Sequence, residues 1–288
     1  AEIAKQGFSG YISEVLIFEF GNFEMAEQNP KRVTPNQPNQ ILSFNNTLKD
    51  SMKAVVNISA KRIVSTSLGN IPNQMLQDPF FKRFFGEKFN NQIPKQNRIQ
   101  RSLGSGVIIS KNGFIVTNHH VIENAEEITV TLSGGTTEYN AKVIGNDVDS
   151  DLAVIKIEAK NLYPIKLGES TSLQVGDVIF AIGNPFGIGE TATQGIISAL
   201  NKNKVGINRY ENYIQTDASI NPGNSGGALV DSRGALIGIN SAILSKSGGN
   251  NGIGFAIPVN MVKNVVEKLI NDGKVTRGYL GVAIDNLT

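Results

Sequence analysis

From Lys53 onward the chain alternates between short apolar runs and polar breaks rich in glycine, asparagine and serine. Six runs come first: Ala54–Val64, Gly106–Ser110, Phe114–Thr117, Glu127–Leu132, Ala141–Gly145 and Leu152–Ile157. Six more follow at Asp177–Gly183, Thr191–Leu200, Asn212–Thr216, Gly227–Asp231, Ala235–Ile243 and Ile253–Pro258. Their length and their valine and isoleucine content predict strands, and turn signals such as Lys111–Gly113 and Ser232–Gly234 separate neighbours. No helical pattern lies between them, which disfavours a parallel sheet with crossover helices. The two series predict antiparallel strands closed into barrels or stacked as a sandwich.

Two helices interrupt this pattern. Pro258–Asp272 carries a stripe of Val262, Val265, Val266, Leu269 and Ile270, with Gly273 where a helix-ending glycine belongs. Asp78–Phe85 reads as a short helix with Phe80, Phe81, Phe84 and Phe85 on one face, carried by a long polar loop. Two turns of helix need a surface to pack against. Upstream, Tyr11–Gly21 is apolar and strand-like, and Asn29–Gln40 is a proline-bearing linker. Near the end, Arg277–Ile284 reads as a fresh strand opening a further domain.

Composition narrows the class. With 40% apolar and 18% charged residues, the chain is no disordered polymer. A net charge of +2 offers no basic excess for a phosphate backbone, so no nucleic-acid partner is expected. Cysteine is absent, which removes disulfides, thiolate-bound zinc and a cysteine nucleophile together. No apolar run reaches the length of a membrane span.

The chemistry must then come from other side chains. The two histidines, His119 and His120, are adjacent, and one of them is the natural general base at neutral pH. Neighbouring side chains diverge, and no HExxH pattern or third histidine exists, so no metal site is expected. In Gly223–Gly227 a serine, Ser225, is flanked by small residues just before a predicted strand. Such a turn exposes a hydroxyl and aims amides at one point, as an oxyanion hole requires. Asp147, Asp149 and Asp151 are candidates to hold the imidazole. Asp151 abuts an apolar strand and is the one expected to be buried, while Asp147 and Asp149 read as solvated loop. The order His120, Asp151, Ser225 is that of chymotrypsin-like enzymes, neither the Ser–Asp–His of α/β-hydrolases nor the Asp–His–Ser of subtilisin.

On the runs LGSGVIISKNGFIVTNHHVI, SDLAVIKI, GDVIFAIGNPFG, TQGIISAL, YIQTDASINPGNSGGALVDSRG and GIGFAIP, the chain resembles the HtrA/Deg family of trypsin-like serine proteases, most closely its periplasmic ε-proteobacterial members. The resemblance implies an all-β, chymotrypsin-like double six-stranded barrel with a C-terminal helix. Barrel 1 would span about 50–160 and barrel 2 about 165–258 within a protease domain at 46–272. An extension and linker would occupy 1–45, and 273–288 would hold a linker and the first strand of a truncated PDZ domain. The family histidine falls on His120, its aspartate on Asp151 and its nucleophile on Ser225; His119 stands where the family usually has asparagine. Gly223, Asn224 and Ser225 correspond to the oxyanion hole. Asn184–Thr193 resembles the activation loop, and Thr66–Ser102 the loop that reaches a partner subunit. Ser219 takes the place of trypsin's acidic pocket residue, with Ile220, Ile243 and Leu244 as walls, implying cleavage after Val, Ala or Ile. The implied function is degradation of unfolded or damaged periplasmic proteins by a homotrimer without a cofactor. The rival reading is a chaperone or scaffold that binds unfolded chains with little proteolysis.

Overall fold

A computed structural model describes residues 43–64, 98–185, 189–221, 223–243 and 251–278. The Tyr11–Gly21 segment, the Phe80–Phe85 helix, Leu244 and the strand expected beyond Gly278 lie outside the described residues.

Helix α1 (Asn45–Lys53) leads into the first barrel, built from β1 (Val55–Val64), β2 (Arg98–Ile108), β3 (Phe114–Thr117), β4 (Glu127–Thr131), β5 (Glu138–Asp147) and β6 (Leu152–Ile157). A one-turn helix, α2 (His119–Ile122), follows β3. The second barrel holds β7 (Val178–Gly183), β8 (Thr191–Lys202), β9 (Tyr213–Thr216), β10 (Ala228–Asp231), β11 (Leu236–Ile243) and β12 (Gly254–Pro258), and α3 (Val259–Asp272) ends the fold. The first barrel closes in the order β1-β2-β3-β6-β5-β4 and the second as β10-β11-β12-β9-β8-β7. Every strand pair within them is antiparallel. Between barrels and sandwich, closure decides in favour of barrels.

The apolar runs are continuous rather than alternating because many strands are covered on both faces. In β6, Ala153 and Ile155 fill the first barrel, while Leu152 and Val154 face the core between the barrels. In β10, Leu229 fills the second barrel, while Ala228 and Val230 join that same inter-barrel core. Helix α3 seals this layer with Val262, Val265, Val266 and Leu269, all buried, and the Gly273 N–H closes it on the Leu269 carbonyl at 3.0 Å.

Three features differ from the sequence expectation. Helix α1 occupies what reads as the edge of a linker. Its Ser51 hydroxyl donates to Gly234 O at 3.1 Å, and Phe44 packs on Phe180 with ring centres 4.9 Å apart, so α1 docks on the second barrel while feeding the first. Strand β2 begins at Arg98, inside the stretch read as the Thr66–Ser102 insertion, because its backbone pairs with β1 from Val64↔Arg98 onward. Backbone ladders need no apolar side chains. Finally, Asp147 is buried rather than solvated: Ser150 and Arg277 hydrogen-bond to its carboxylate, and Arg277 also stands 3.6 Å from Asp149 and 4.3 Å above the Tyr210 ring. The segment after α3 is thereby clamped to the first barrel by a paired charge.

Candidate active site

Three turns bring the candidate residues together. Strand β3 ends at Thr117, and α2 starts with Asn118 in extended conformation as its N-cap, which places His120 in a single helical turn. Between β5 and β6, the 3-10 turn Val148–Ser150 is closed by Asp151, whose φ of 56° and ψ of 40° lie in the left-handed region. Aspartate tolerates that conformation better than most residues, and strained backbone of this kind is frequent at functional sites.

The two loops are tied through the same aspartate. His120 N–H donates to Asp151 Oδ1 at 3.0 Å, and the His120 ring nitrogen Nδ1 lies 2.7 Å from Asp151 Oδ2. The Asp151 carbonyl accepts from His119 N–H at 3.1 Å and from the Asn118 side chain at 3.0 Å. Asp151 is buried, while about a fifth of the His120 side chain, 22%, reaches the surface. The bond at Nδ1 turns the opposite ring nitrogen, Nε2, away from Asp151.

Ser225 approaches the same pair from the second barrel. Its hydroxyl lies 3.4 Å from the carbonyl of Ser241, and the Ser241 hydroxyl donates to Asp151 Oδ2 at 3.2 Å. Ser241 is the extra residue of a bulge in β11, where the register with β12 shifts between Asn240 and Ala242. Bulges re-aim a side chain, and this one turns a buried hydroxyl out of the barrel toward the aspartate. Behind them Tyr213 is buried; burial first, and then the Asp151 charge, push its phenol above the ordinary value, so it stays neutral.

The turn around Ser225 is shaped by two glycines. Asn224 N–H donates to Asn221 O at 3.0 Å, with Gly223 at the third turn position and φ +98°. Positive φ there favours glycine. At Gly226, φ is +81° and an added Cβ would meet Ser105 O at 2.2 Å and Thr117 Oγ1 at 2.3 Å, so only glycine lets the turn lie this close to β2. Among the described residues, neither the Gly223 nor the Ser225 N–H donates to a protein acceptor. Two such amides beside a serine hydroxyl are what a developing oxyanion needs.

The pocket residues fall less evenly. Ser219 is exposed, and its carbonyl accepts from Thr193 Oγ1 at 2.8 Å. Ile220 is fully buried with Ile214, Ile237 and Ala256 inside the second barrel. Ile243 ends β11, and Leu244 is outside the described residues. The nearby acid Asp217 has Oδ1 engaged by Ile196 N–H at 2.8 Å. Sequence reasoning missed Ser241, Ser105 and Asn57. The one available signal was a polar residue within an otherwise apolar strand, as in GINSAI for Ser241.

A double barrel with a His–Asp pair in one half and a glycine-flanked serine in the other defines a trypsin-like peptidase, and residues 104–239 match the trypsin-like peptidase domain family. Over 213 residues, 74% of this chain and 43% of the relative, it is 52% identical to a probable periplasmic serine endoprotease DegP-like of Chlamydia muridarum. With the periplasmic serine endoprotease DegP of Salmonella typhimurium it shares 57% over 183 residues, 63% of this chain and 38% of that protein. The solved structure of the HtrA-type protease AlgW with decapeptide superposes with a TM-score of 0.70 at 46% identity, covering 86% of this chain and 73% of that one. The chain belongs to the HtrA family of trypsin-like serine proteases. It spans about half the length, or less, of the curated relatives it matches, 43% and 52% in two of them.

Proposed function

We propose that this chain is a serine endopeptidase of the periplasm that cuts unfolded or damaged proteins. The observation that carries this reading is the shared anchoring of His120 and Ser225 on Asp151 and Ser241, beside two unengaged amides. The compartment follows the relatives, which are named periplasmic endoproteases.

In the proposed reaction Ser225 Oγ attacks the scissile carbonyl while His120 Nε2 takes its proton. Asp151 holds Nδ1–H, fixing the tautomer and supporting the imidazolium. The carbonyl oxygen becomes an oxyanion held by the Gly223 and Ser225 N–H groups. His120 then protonates the leaving amine, the C–N bond breaks, and an acyl group remains on Ser225. Water repeats the sequence, with His120 as base, and releases the acid. No cofactor or metal takes part. An uncharged pocket at Ser219, Ile220, Ile243 and Leu244 would favour Val, Ala or Ile before the cut.

The direct test is a fluorophosphonate probe followed by mass mapping. Ser225 should be the labelled residue, and Ser225→Ala should lower hydrolysis of reduced casein by several orders of magnitude with the fold retained. Casein cleavage by Ser225→Ala within tenfold of the parent would sink the assignment.

A further inference from the structure

Asn118 stands between β3 and α2 and is the N-cap of the turn that carries His120. An asparagine in that place ordinarily offers its side-chain oxygen to the N–H of the second or third helical residue. Here it makes no such bond. The second helical residue is His120, and its N–H goes to Asp151 Oδ1 at 3.0 Å, while the first, His119, donates to the Asp151 carbonyl at 3.1 Å. Asp151 thus caps the turn from another loop. Asn118 is turned the other way. Its Nδ2 donates to that same Asp151 carbonyl at 3.0 Å, and its Oδ1 is buried with no partner among the described residues. Chemistry settles this orientation, since the amide oxygen facing a carbonyl would set acceptor against acceptor. A fully buried amide with an unanswered acceptor costs stability, so capping and packing do not account for it.

We propose that the Asn118 side chain is a positioning group, which holds the Asp151 backbone against the turn of His120 so that the carboxylate meets Nδ1. The proposal rests on the reading of His120, Asp151 and Ser225 as a catalytic triad. A carbonyl oxygen has two lone pairs, and on Asp151 both are taken from one side, by the Asn118 amide and the His119 N–H. One bond fixes a distance, whereas two from adjacent residues also fix the direction in which the peptide could pivot. That direction matters because the Asp151 carboxylate serves His120 N–H, His120 Nδ1 and the Ser241 hydroxyl together. A small rotation of its backbone loses some of them. The base of the tether is itself fixed. Thr117 pairs with Ala153 across β3 and β6, and a Cβ added at Gly226, next to Ser225, would lie 3.2 Å from Asn118 N. Asn118 therefore stands where the segments of all three triad residues meet.

The test uses the whole chain and a peptide substrate with an aliphatic residue before the cut. Its second readout is the low-field proton resonance of His120 Nδ1–H, which reports the bond to Asp151 without turnover. Asn118→Ala should lower kcat by about 10- to 100-fold, the scale of a misplaced reacting group. KM should change by less than about threefold, because no substrate contact is lost. The Nδ1–H resonance should move upfield or broaden away. Asn118→Ser separates the tether from the cap, since it keeps an oxygen suited to an N-cap and stops one bond short of the amide nitrogen. Its fold should be retained, and its kcat and resonance should follow those of Asn118→Ala. It also carries the test should Asn118→Ala not fold. Either variant, folded and with kcat within threefold of the parent, would overturn the proposal while leaving the peptidase reading intact. A lower kcat with the resonance unmoved would overturn it too, because the loss would then lie outside the His120–Asp151 pair. A parent protein unlabelled at Ser225 by fluorophosphonate would instead remove the reading beneath it.

Discussion

At His119 and His120, chemically identical side chains meet opposite environments one residue apart. His120 is bonded through Nδ1 to a buried carboxylate, whereas His119 Nδ1 is buried without a partner. His120→Ala should therefore abolish casein hydrolysis as Ser225→Ala does, and His119→Asn should retain most of it. A reversed outcome in the same assay would shift the base by one position. Specificity also belongs to this scale. Ser219 offers no carboxylate, and the Asp217 carboxylate is engaged by a backbone amide on β8. A lysine or arginine in the pocket would lose hydration without compensation, a larger penalty than the ~1–3 kcal/mol that separates aliphatic side chains differing by a methylene. Sequencing the ends of casein fragments should show Val, Ala or Ile before the cut. Predominant cleavage after Lys or Arg would refute the pocket assignment while the triad stood.

Elements are joined here by a few buried connections whose removal has a definite cost. Helix α3 packs across the seam between the barrels, and Leu269 within it is fully buried. Leu269→Ala should cost about 2–5 kcal/mol in denaturant unfolding, the range for a leucine cavity that cannot collapse. The tie between Asp147 and Arg277 behaves differently because it titrates. Burial alone would raise the Asp147 carboxyl, but the hydrogen bonds from Arg277 and Ser150, with the Arg277 charge, outweigh it and hold the group below its ordinary value. A carboxyl depressed in the folded state stabilises above its unfolded pKa of about 3.9, and that contribution fades as pH falls through the lower folded value. Asp147→Asn should thus be less stable than the parent by about 2 kcal/mol at pH 7, with the gap closing well below pH 4. A gap that persists at low pH would mean packing, not charge, holds this segment.

For the molecule as a whole, assembly is the property that the apolar stretches of the sequence bear on. The sequence carries two apolar stretches beyond the described residues, Tyr11–Phe20 and Phe80–Phe85, that call for a surface. We expect a homotrimer formed through the N-terminal side of the protease domain, with the phenylalanine helix contributing to any larger assembly. Light scattering at micromolar concentration checks this directly, and the mass of a single chain would exclude the trimer. No helix among the described residues is long and apolar enough to cross a membrane.

Both series of six strands and the course of α3 are legible along the chain because each is a local pattern, and the chain order His120, Asp151, Ser225 can be read directly. Valine-rich runs between glycine turns form strands wherever the chain goes, and a glycine-flanked serine marks its turn before any partner is known. Tertiary structure alone decided how each barrel closes, since the pairing of β1 with β4 and of β7 with β10 leaves no trace in either strand's own sequence. It also buried Asp147, which looks like any loop aspartate until Arg277, 130 residues later, returns to meet it. Ser241 became a partner of Asp151 only through a bulge in β11, and Ser105 reached Gly223 only because the two barrels pack face to face. These are buried polar groups. Their roles depend on which donor the fold brings within about 3 Å, a distance that sequence separations of 90 and 118 residues cannot encode.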